Sequence, residues 1–595
     1  MKKIRIIFML SLMCVPLMQG NEFIETTSGK IISKSYKNIQ IFEDIPYAKP
    51  PIDQLRWKAP VSFIDTDTII KSKDNNFCIQ RPSSIGGAEG DNFYVGKEDC
   101  LYLDIFKPKK IPKNNSKLPV MFWIHGGGNT SGLKDLYDFS KMVSKHEVIV
   151  VRINYRLGPF GWFTHPSIQN FQSDENKTSN FGTLDIIMAL EWVNQNISKF
   201  GGDNENITIF GESAGGHNVL SLLVSNKAKG LFHKAISMSG YTTSISIENA
   251  YKPQSTSSTS NYSSSSVIQK ILSDSDIYKN TADLKEIREM LLQIPAEDFF
   301  RYYSERSSYE ELPLLTADGI VIPKIGLRAA LADPKYVNNV PTIAGSNRDE
   351  VKLWLGTAEY FVGLDYSFLG SVLNIPKVIL KNEDAFDAFN FYRSAAWKIR
   401  GVDNPLDSLH KAGNKNLYAY RFDWDDHRRY VIANFQKLIG AAHATEIPLL
   451  AGNSKLVGGY PLSDLIYPPS FSKRYTSKNM MKFWSNFAKT GIPGYSTNSI
   501  KWEPYLSDEN DNKFLIIDKK RFLRMESDSL SLGSLSAKLY KDNRVDEIEK
   551  CVILLQMYTF VGDDQYSKSY EEYPGKCDRK TSETFLKNND SFIEY

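Results

Sequence analysis

Along the chain, short apolar runs rich in β-branched residues alternate with stretches whose apolar positions recur at helical spacing. Val120–Ile124 reads as a buried strand, and Val148–Tyr155 and Ile207–Phe210 read as further strands. Between the last two, Leu184–Ile197 carries Ile187, Leu190, Trp192 and Val193 at helical spacing. Ala235–Ser239, Thr342–Ser346 and Leu417–Phe422 predict later strands. Strand, helix, strand in repetition predicts an α/β fold: a central, mostly parallel, twisted sheet flanked by helices. One segment breaks the pattern. Residues 254–266 are almost entirely serine, threonine and asparagine, and predict a mobile surface insertion because they offer too little apolar surface to order themselves. No internal repeat and no dividing linker is visible, so residues 21–560 are expected to form one domain and 561–595 a polar surface tail.

The amino end follows a different rule. Lys2, Lys3 and Arg5 precede the apolar run Ile6–Met18, and polar residues follow. The run is too short for a mature membrane span but fits a cleaved signal peptide over residues 1–20. No other stretch is apolar for long enough to cross a membrane. A secreted or periplasmic protein is therefore expected, with no membrane span after signal removal. Cysteine usage agrees: of five cysteines, Cys14 leaves with the signal, and Cys78, Cys100, Cys551 and Cys577 remain. These allow three connectivities in an oxidising compartment, and proximity favours Cys78–Cys100 and Cys551–Cys577. Each such loop would stabilise by about 3 kcal/mol in the chain-entropy view. There is no CxxC pair and no Cys/His cluster to suggest a metal.

Composition narrows the class. The chain has 595 residues, 42% hydrophobic and 24% charged, with mean hydropathy −0.34. A polytopic membrane protein, a collagen-like chain and a wholly disordered one are excluded. Lys and Arg number 72 against 69 Asp and Glu. The balance implies no basic surface for nucleic acid.

The most informative stretch is Ile207–Leu220, in which a β-branched run enters Gly211-Glu212-Ser213-Ala214-Gly215 and an apolar helix follows. At a strand-to-helix turn of this type the serine is held in a strained conformation that projects its hydroxyl, and the residues two before and two after must be small. The bare pattern is equally compatible with a glycine-rich turn around an inert serine; its strand–helix setting favours a nucleophile. A second constellation, His125-Gly126-Gly127-Gly128, directly follows a strand. Consecutive glycines let two amides approach one oxygen, as acyl transfer requires. A phosphate-binding loop is the rival, but the Lys-Ser/Thr of a P-loop and a GxGxxG fingerprint are both missing.

With these motifs the chain resembles the type-B carboxylesterase/cholinesterase family of α/β-hydrolases. Ile45–Pro51, Glu98–Asp104, Asn154–Gly158, Phe200–Asp203, Phe483–Gly491 and Trp502–Tyr505 all match that family's pattern, over roughly residues 25 to 560. The resemblance implies a Ser, Glu, His triad in that chain order. Ser213 would be the nucleophile, Glu350 the acid and His443 the base; chemistry alone leaves Asp349 as a rival acid. It further implies an oxyanion hole from the amides of Gly127, Gly128 and Ala214, a first disulfide Cys78–Cys100, no cofactor and no metal. Hydrolysis of small-molecule esters through an acyl-enzyme is expected, rising as His443 deprotonates around pH 6–7.

Three departures bear on substrate. Gly90 stands where cholinesterases place a tryptophan that faces quaternary ammonium, which leaves cation–π recognition of choline unsupported. Asn129 replaces the usual aromatic residue after the glycines and is expected to alter the lining of the gorge. Val351 replaces the glycine that often follows the acid. A cholinesterase-like enzyme is thus the alternative, and a non-catalytic adhesion relative of the fold a more distant one. Asn-x-Ser/Thr sequons occur at Asn114, Asn129, Asn176, Asn196, Asn206, Asn261 and Asn589. His217, on the helix after the serine, reads as a packing residue.

Overall fold

A computed structural model describes residues 23–72, 76–83, 87–110, 116–252, 263–279, 281–304, 314–365, 377–453, 463–505, 512–560, 563–573 and 577–589. The expected signal peptide and most of the serine-rich segment lie outside the described residues.

The sheet is built from β1 (Lys34–Tyr36), β2 (Ile39–Pro46), β3 (Tyr102–Pro108), β4 (Leu118–Ile124), β5 (Ile149–Ile153) and β6 (Gly202–Glu212), then β7 (Lys234–Met238), β8 (Thr342–Asn347), β9 (Leu417–Phe422), β10 (Asn512–Ile517) and β11 (Arg524–Asp528). Their spatial order is β11-β10-β9-β8-β7-β6-β4-β5-β3-β2-β1. From β10 through β5 every neighbouring pair is parallel. The pairs outside this block, at both edges, are antiparallel. The unbroken apolar run of β4 has a direct cause: both its faces are covered. Val120, Phe122 and Ile124 of β4 enter one core, together with Ile149, Val151, Ile207 and Ile209. Met121 and Trp123 point the other way, into a second core with Val150 and Phe210. The predicted helix is α1 (Phe181–Asn196), buried along most of its length.

The β4, β6, β7, β8 and β9 carboxyl ends lie along one edge of the sheet, where open α/β sheets form their ligand crevice. The segments of interest follow them in turn: His125–Gly128 after β4, Ser213 after β6, Ser239 after β7, Glu350 after β8 and His443 beyond β9. Directly after β6 comes α2 (Ala214–Val224).

Two expectations about surface segments need correction. The serine-rich insertion was bounded at residue 266, but α3 (Ser264–Asp274) starts inside it. Ser263 caps that helix by accepting the Ser266 N–H, and Ser264 is buried with its hydroxyl donated to the Thr164 carbonyl. The cap and the apolar face of Val267, Ile268, Ile271 and Leu272 order residues that composition alone marks as loop. The polar end after residue 560 also contains structure. Helices α4 (Glu547–Tyr558), α5 (Tyr566–Glu572) and α6 (Arg579–Asn588) pack together, with Tyr566, Tyr573 and Cys577 buried among them. Disulfides join Cys551 to Cys577 and Cys78 to Cys100. Among the sequons, the Asn129 and Asn196 side chains are fully buried and hydrogen-bonded, so the folded protein presents neither as an acceptor.

Candidate active site

Ser213 adopts φ 58° and ψ −122°, a conformation that L-residues rarely occupy. Steric exclusion explains the two glycines around it. A Cβ on Gly215 would lie 2.0 Å from the Ile124 carbonyl oxygen, and one on Gly211 would lie 2.6 Å from the same oxygen and from the Gly215 backbone. Strand β4, the turn and α2 therefore meet backbone to backbone. The Ser213 N–H donates to Met238 O (2.9 Å), and its own carbonyl starts α2 by accepting from His217. Ser213 is half-buried, as are Gly127 and Gly128, whereas Ala214 is fully buried.

The glycine run abuts this turn: a Cβ on Gly126 would come within 3.0 Å of Ser213 Cβ. Gly127 and Gly128 have φ +104° and +63°, and a side chain on Gly127 would strike the Ser131 carbonyl at 2.3 Å. The Gly127 and Gly128 amides and the first amide of α2 thus belong to two segments that touch beside the serine. The amino end of α2 adds a dipole that favours negative charge there.

Glu350 and His443 are brought together. The His443 Nδ1–H faces Glu350 Oε2 at 2.7 Å, and the His443 amide donates to the Glu350 carbonyl (3.1 Å). Glu350 Oε1 accepts from the Ser239 hydroxyl and from the Asn347 amide, each at 2.7 Å. The rival acid is committed elsewhere. Asp349 accepts from Arg348, Asn390 and the Ala441 amide, and lies 3.5 Å from the Lys352 ammonium. Burial would raise its pKa, but Lys352 and Arg348 hold it well below the usual carboxylate range. Its geometry anchors the loop that carries His443.

The other imidazole nitrogen shows what the motif could not. His443 Nε2 lies 3.1 Å from Glu212 Oε1, the side chain adjacent to Ser213 in sequence. Among the described residues, no hydrogen bond joins Ser213 Oγ to the imidazole, so the ring spans two carboxylates in this state. Burial opposes its charge, but Glu212 and then Glu350 outweigh burial, and the pKa is pushed up to about 9. This favours the imidazolium over the neutral ring at pH 6–7. Glu212 itself is raised by burial, as is Glu446, which sits fully buried three residues after His443 and receives the Asn347 side-chain amide at 2.6 Å. Acidic neighbours raise both further: Glu350 acts on Glu212, and Glu212 and Glu350 act on Glu446. Trp397 and Trp354 lie against the imidazole, with ring centroids 4.8 and 5.3 Å away.

The Carboxylesterase family profile matches residues 20–365 and 397–532. The chain is 30% identical over 524 residues to the para-nitrobenzyl esterase of Bacillus subtilis (strain 168), covering 86% of this chain and 97% of that protein. It is 32% identical to mouse carboxylesterase 1D, covering 79% of this chain and 85% of that one. Solved structures agree. A para-nitrobenzyl esterase superposes with TM-score 0.62 and 27% identity, over 85% of this chain and 97% of that one. A Geobacillus stearothermophilus carboxylesterase gives TM-score 0.64 at 25% identity, over 87% and 99%.

This chain belongs to the carboxylesterase family.

It is a carboxylic ester hydrolase with the α/β-hydrolase fold. Within this carboxylesterase, the residues that motif reading did not single out are Glu212, Glu446 and Ser239. The first occupies a variable position of the Gly-x-Ser-x-Gly pattern, and its burial is invisible without the long-range packing of the His443 loop. Asn129, in the place of the family's usual aromatic residue, is fully buried, with Oδ1 2.9 Å from Asn218 Nδ2. Val351 is buried in the core beside α2. His217 stacks on Tyr241 at 4.3 Å, with Nδ1 2.9 Å from that residue's carbonyl, a packing role.

Proposed function

We propose that this carboxylesterase is an exported serine esterase that uses Ser213, His443 and Glu350 on short- to medium-chain carboxylic esters. The observation that carries the reading is the 2.7 Å Glu350–His443 contact, with the opposite ring nitrogen held at the residue beside Ser213. In this reading Nε2 leaves Glu212 for the serine hydroxyl when substrate binds, since hydrogen bonds of this kind often form fully only in the substrate complex. Neutral imidazole removes the Ser213 proton as its oxygen attacks the ester carbonyl. Gly127, Gly128 and Ala214 amides receive the oxyanion, each such donor contributing about 3 kcal/mol in related chemistry. Glu350 orients the ring and stabilises imidazolium while it carries the proton to the departing alcohol. Water then repeats the sequence on the acyl-enzyme and releases the acid.

Export is supported by the basic–apolar segment over residues 1–20 and by the two disulfides. Among the described residues no helix is long and apolar enough to cross a membrane. Residues 21–560 would form the single hydrolase domain, extended by the helices at the carboxyl end. A choline preference is disfavoured by Gly90. The aromatic residue nearest to it in the same disulfide loop, Phe93, is covered by the Arg301 guanidinium at 4.6 Å, which a ligand cation would have to displace.

The test is turnover of p-nitrophenyl acetate, butyrate, octanoate and laurate by the wild type and Ser213→Ala, with acetylthiocholine alongside. The wild type should hydrolyse the shorter esters best, and Ser213→Ala should lose at least about a thousandfold in kcat. Equal turnover by both proteins would refute the nucleophile. Efficient acetylthiocholine hydrolysis would replace the substrate reading by the cholinesterase one.

A further inference from the structure

A run of glycines has no side chains with which to fix itself, yet an oxyanion hole needs its amides held to within a fraction of an ångström. What holds this run lies at its far end. Asn129 follows Gly128 with φ 59°, a left-handed conformation that asparagine tolerates. Its side chain is fully buried, with Oδ1 2.9 Å from Asn218 Nδ2 and 3.2 Å from the Tyr155 hydroxyl. Its carbonyl accepts the Gly158 amide at 2.8 Å. The same Tyr155 hydroxyl donates to the His125 carbonyl at 2.8 Å, so one phenol touches both ends of the run. Asn218 stands on α2, five residues after Ser213, and is also fully buried.

The cluster is a poor way to gain stability. Asn129 Nδ2 and Asn218 Oδ1 are buried with no hydrogen-bond partner among the described residues. Turning both amides over preserves the contacts, now with Asn129 Nδ2 donating to Asn218 Oδ1 and to the Tyr155 hydroxyl. Burying such atoms is costly, and an apolar pair of similar volume would avoid the cost. The gain lies in direction: a hydrogen bond fixes position where apolar contact does not.

We propose that Asn129 and Asn218, through Tyr155, are positioning residues that lock the Gly127–Gly128 loop to α2, so that the three amides converge on one oxygen. This rests on reading those amides as the oxyanion hole of Ser213. Neither asparagine touches the substrate, so the consequence is confined to how well the developing oxyanion is held.

The experiment compares wild type with Asn218→Leu, Asn129→Gly (which keeps the left-handed angle) and the double variant. Each is measured for kcat and KM on p-nitrophenyl butyrate, and for inhibition by an alkyl trifluoromethyl ketone, which adds serine and presents an oxyanion. The matching alkyl methyl ketone serves as the control that binds without forming a stable adduct. Folding is checked by a cooperative melt. We expect kcat to fall about 10- to 100-fold with KM changed less than about threefold. The trifluoromethyl ketone Ki should rise in proportion to the loss, the methyl ketone Ki should stay level, and the double variant should resemble the worse single one. Folded variants with kcat and trifluoromethyl ketone Ki within about twofold of wild type would overturn the proposal, as would equal weakening of both ketones. Should Asn218→Leu not fold, Asn129→Gly decides by the same readouts. Failure of the nucleophile reading is distinguishable, because it alone would leave Ser213→Ala active.

Discussion

Around Ser213 the chain is fixed by exclusion: Gly211, Gly215 and Gly126 approach neighbouring backbone so closely that a single added carbon has nowhere to go. Around His443 it is fixed by charge and hydrogen bonds: four acidic residues, Asp349, Glu350, Glu212 and Glu446, hold the histidine loop and the ring itself. The first region tolerates no change of shape. The second should tolerate isosteric changes of charge while its chemistry shifts. Together they separate what a fold must do to make a reactive serine from what it must do to make a usable base.

The sharpest way to break this contrast is Gly215→Ala. With a carbonyl oxygen 2.0 Å from the new carbon, relief requires β4 and α2 to part, and we expect loss of soluble folded protein as well as activity, read from yield and melting. Glu350→Gln should do the reverse. The protein should melt cooperatively near wild type while kcat falls about ten-thousandfold, because the ring loses its orienting carboxylate. Next in size is Asp349→Asn, which leaves Arg348 and Lys352 with one partner fewer. It should cost about 3 kcal/mol in denaturant unfolding, with a much smaller change in kcat than Glu350→Gln. Because the folded-state pKa of Asp349 is depressed, its stabilising contribution is present above the ordinary aspartate range and fades as pH falls below it.

The smallest effects are in the pH profile. Glu212 favours the imidazolium, so Glu212→Gln should lower the His443 pKa and move the rising limb of kcat/KM about one unit toward lower pH. Glu446→Gln should shift it in the same direction by less, since Glu446 ranks behind Glu212 and Glu350 in raising the imidazole. A limb that stays in place in Glu212→Gln would mean that the 3.1 Å contact does not govern the working enzyme.

How much of this was legible in the sequence follows the same division. The elbow could be read directly, because its rule is local and steric: a strand, small residues at two fixed offsets, then a helix. The central strands were legible because burial on both faces removes polar residues from a run. The acid could be narrowed only to Asp349 or Glu350 on chemistry. Neighbouring carboxylates on one turn point in different directions, and only the packed positions show that Glu350 lies against His443 while Asp349 pairs with Arg348 and Lys352. Glu212 was hidden because its partner lies 231 residues away in the chain, and the contact of Asn129 with Asn218 was hidden because nothing local reveals that the two would meet. At the carboxyl end and in the serine-rich segment, composition suggested loops. Caps, a disulfide and a few buried apolar positions make helices at the carboxyl end and from Ser264, inside the last residues of the serine-rich segment.

The most direct measurement is reaction of the purified protein with a fluorophosphonate, followed by mass-spectrometric mapping of the labelled residue. The account predicts one label per chain, on Ser213, formed much more slowly in Glu350→Gln. A label on a different serine, or persistent ester turnover by protein that takes up none, would contradict it.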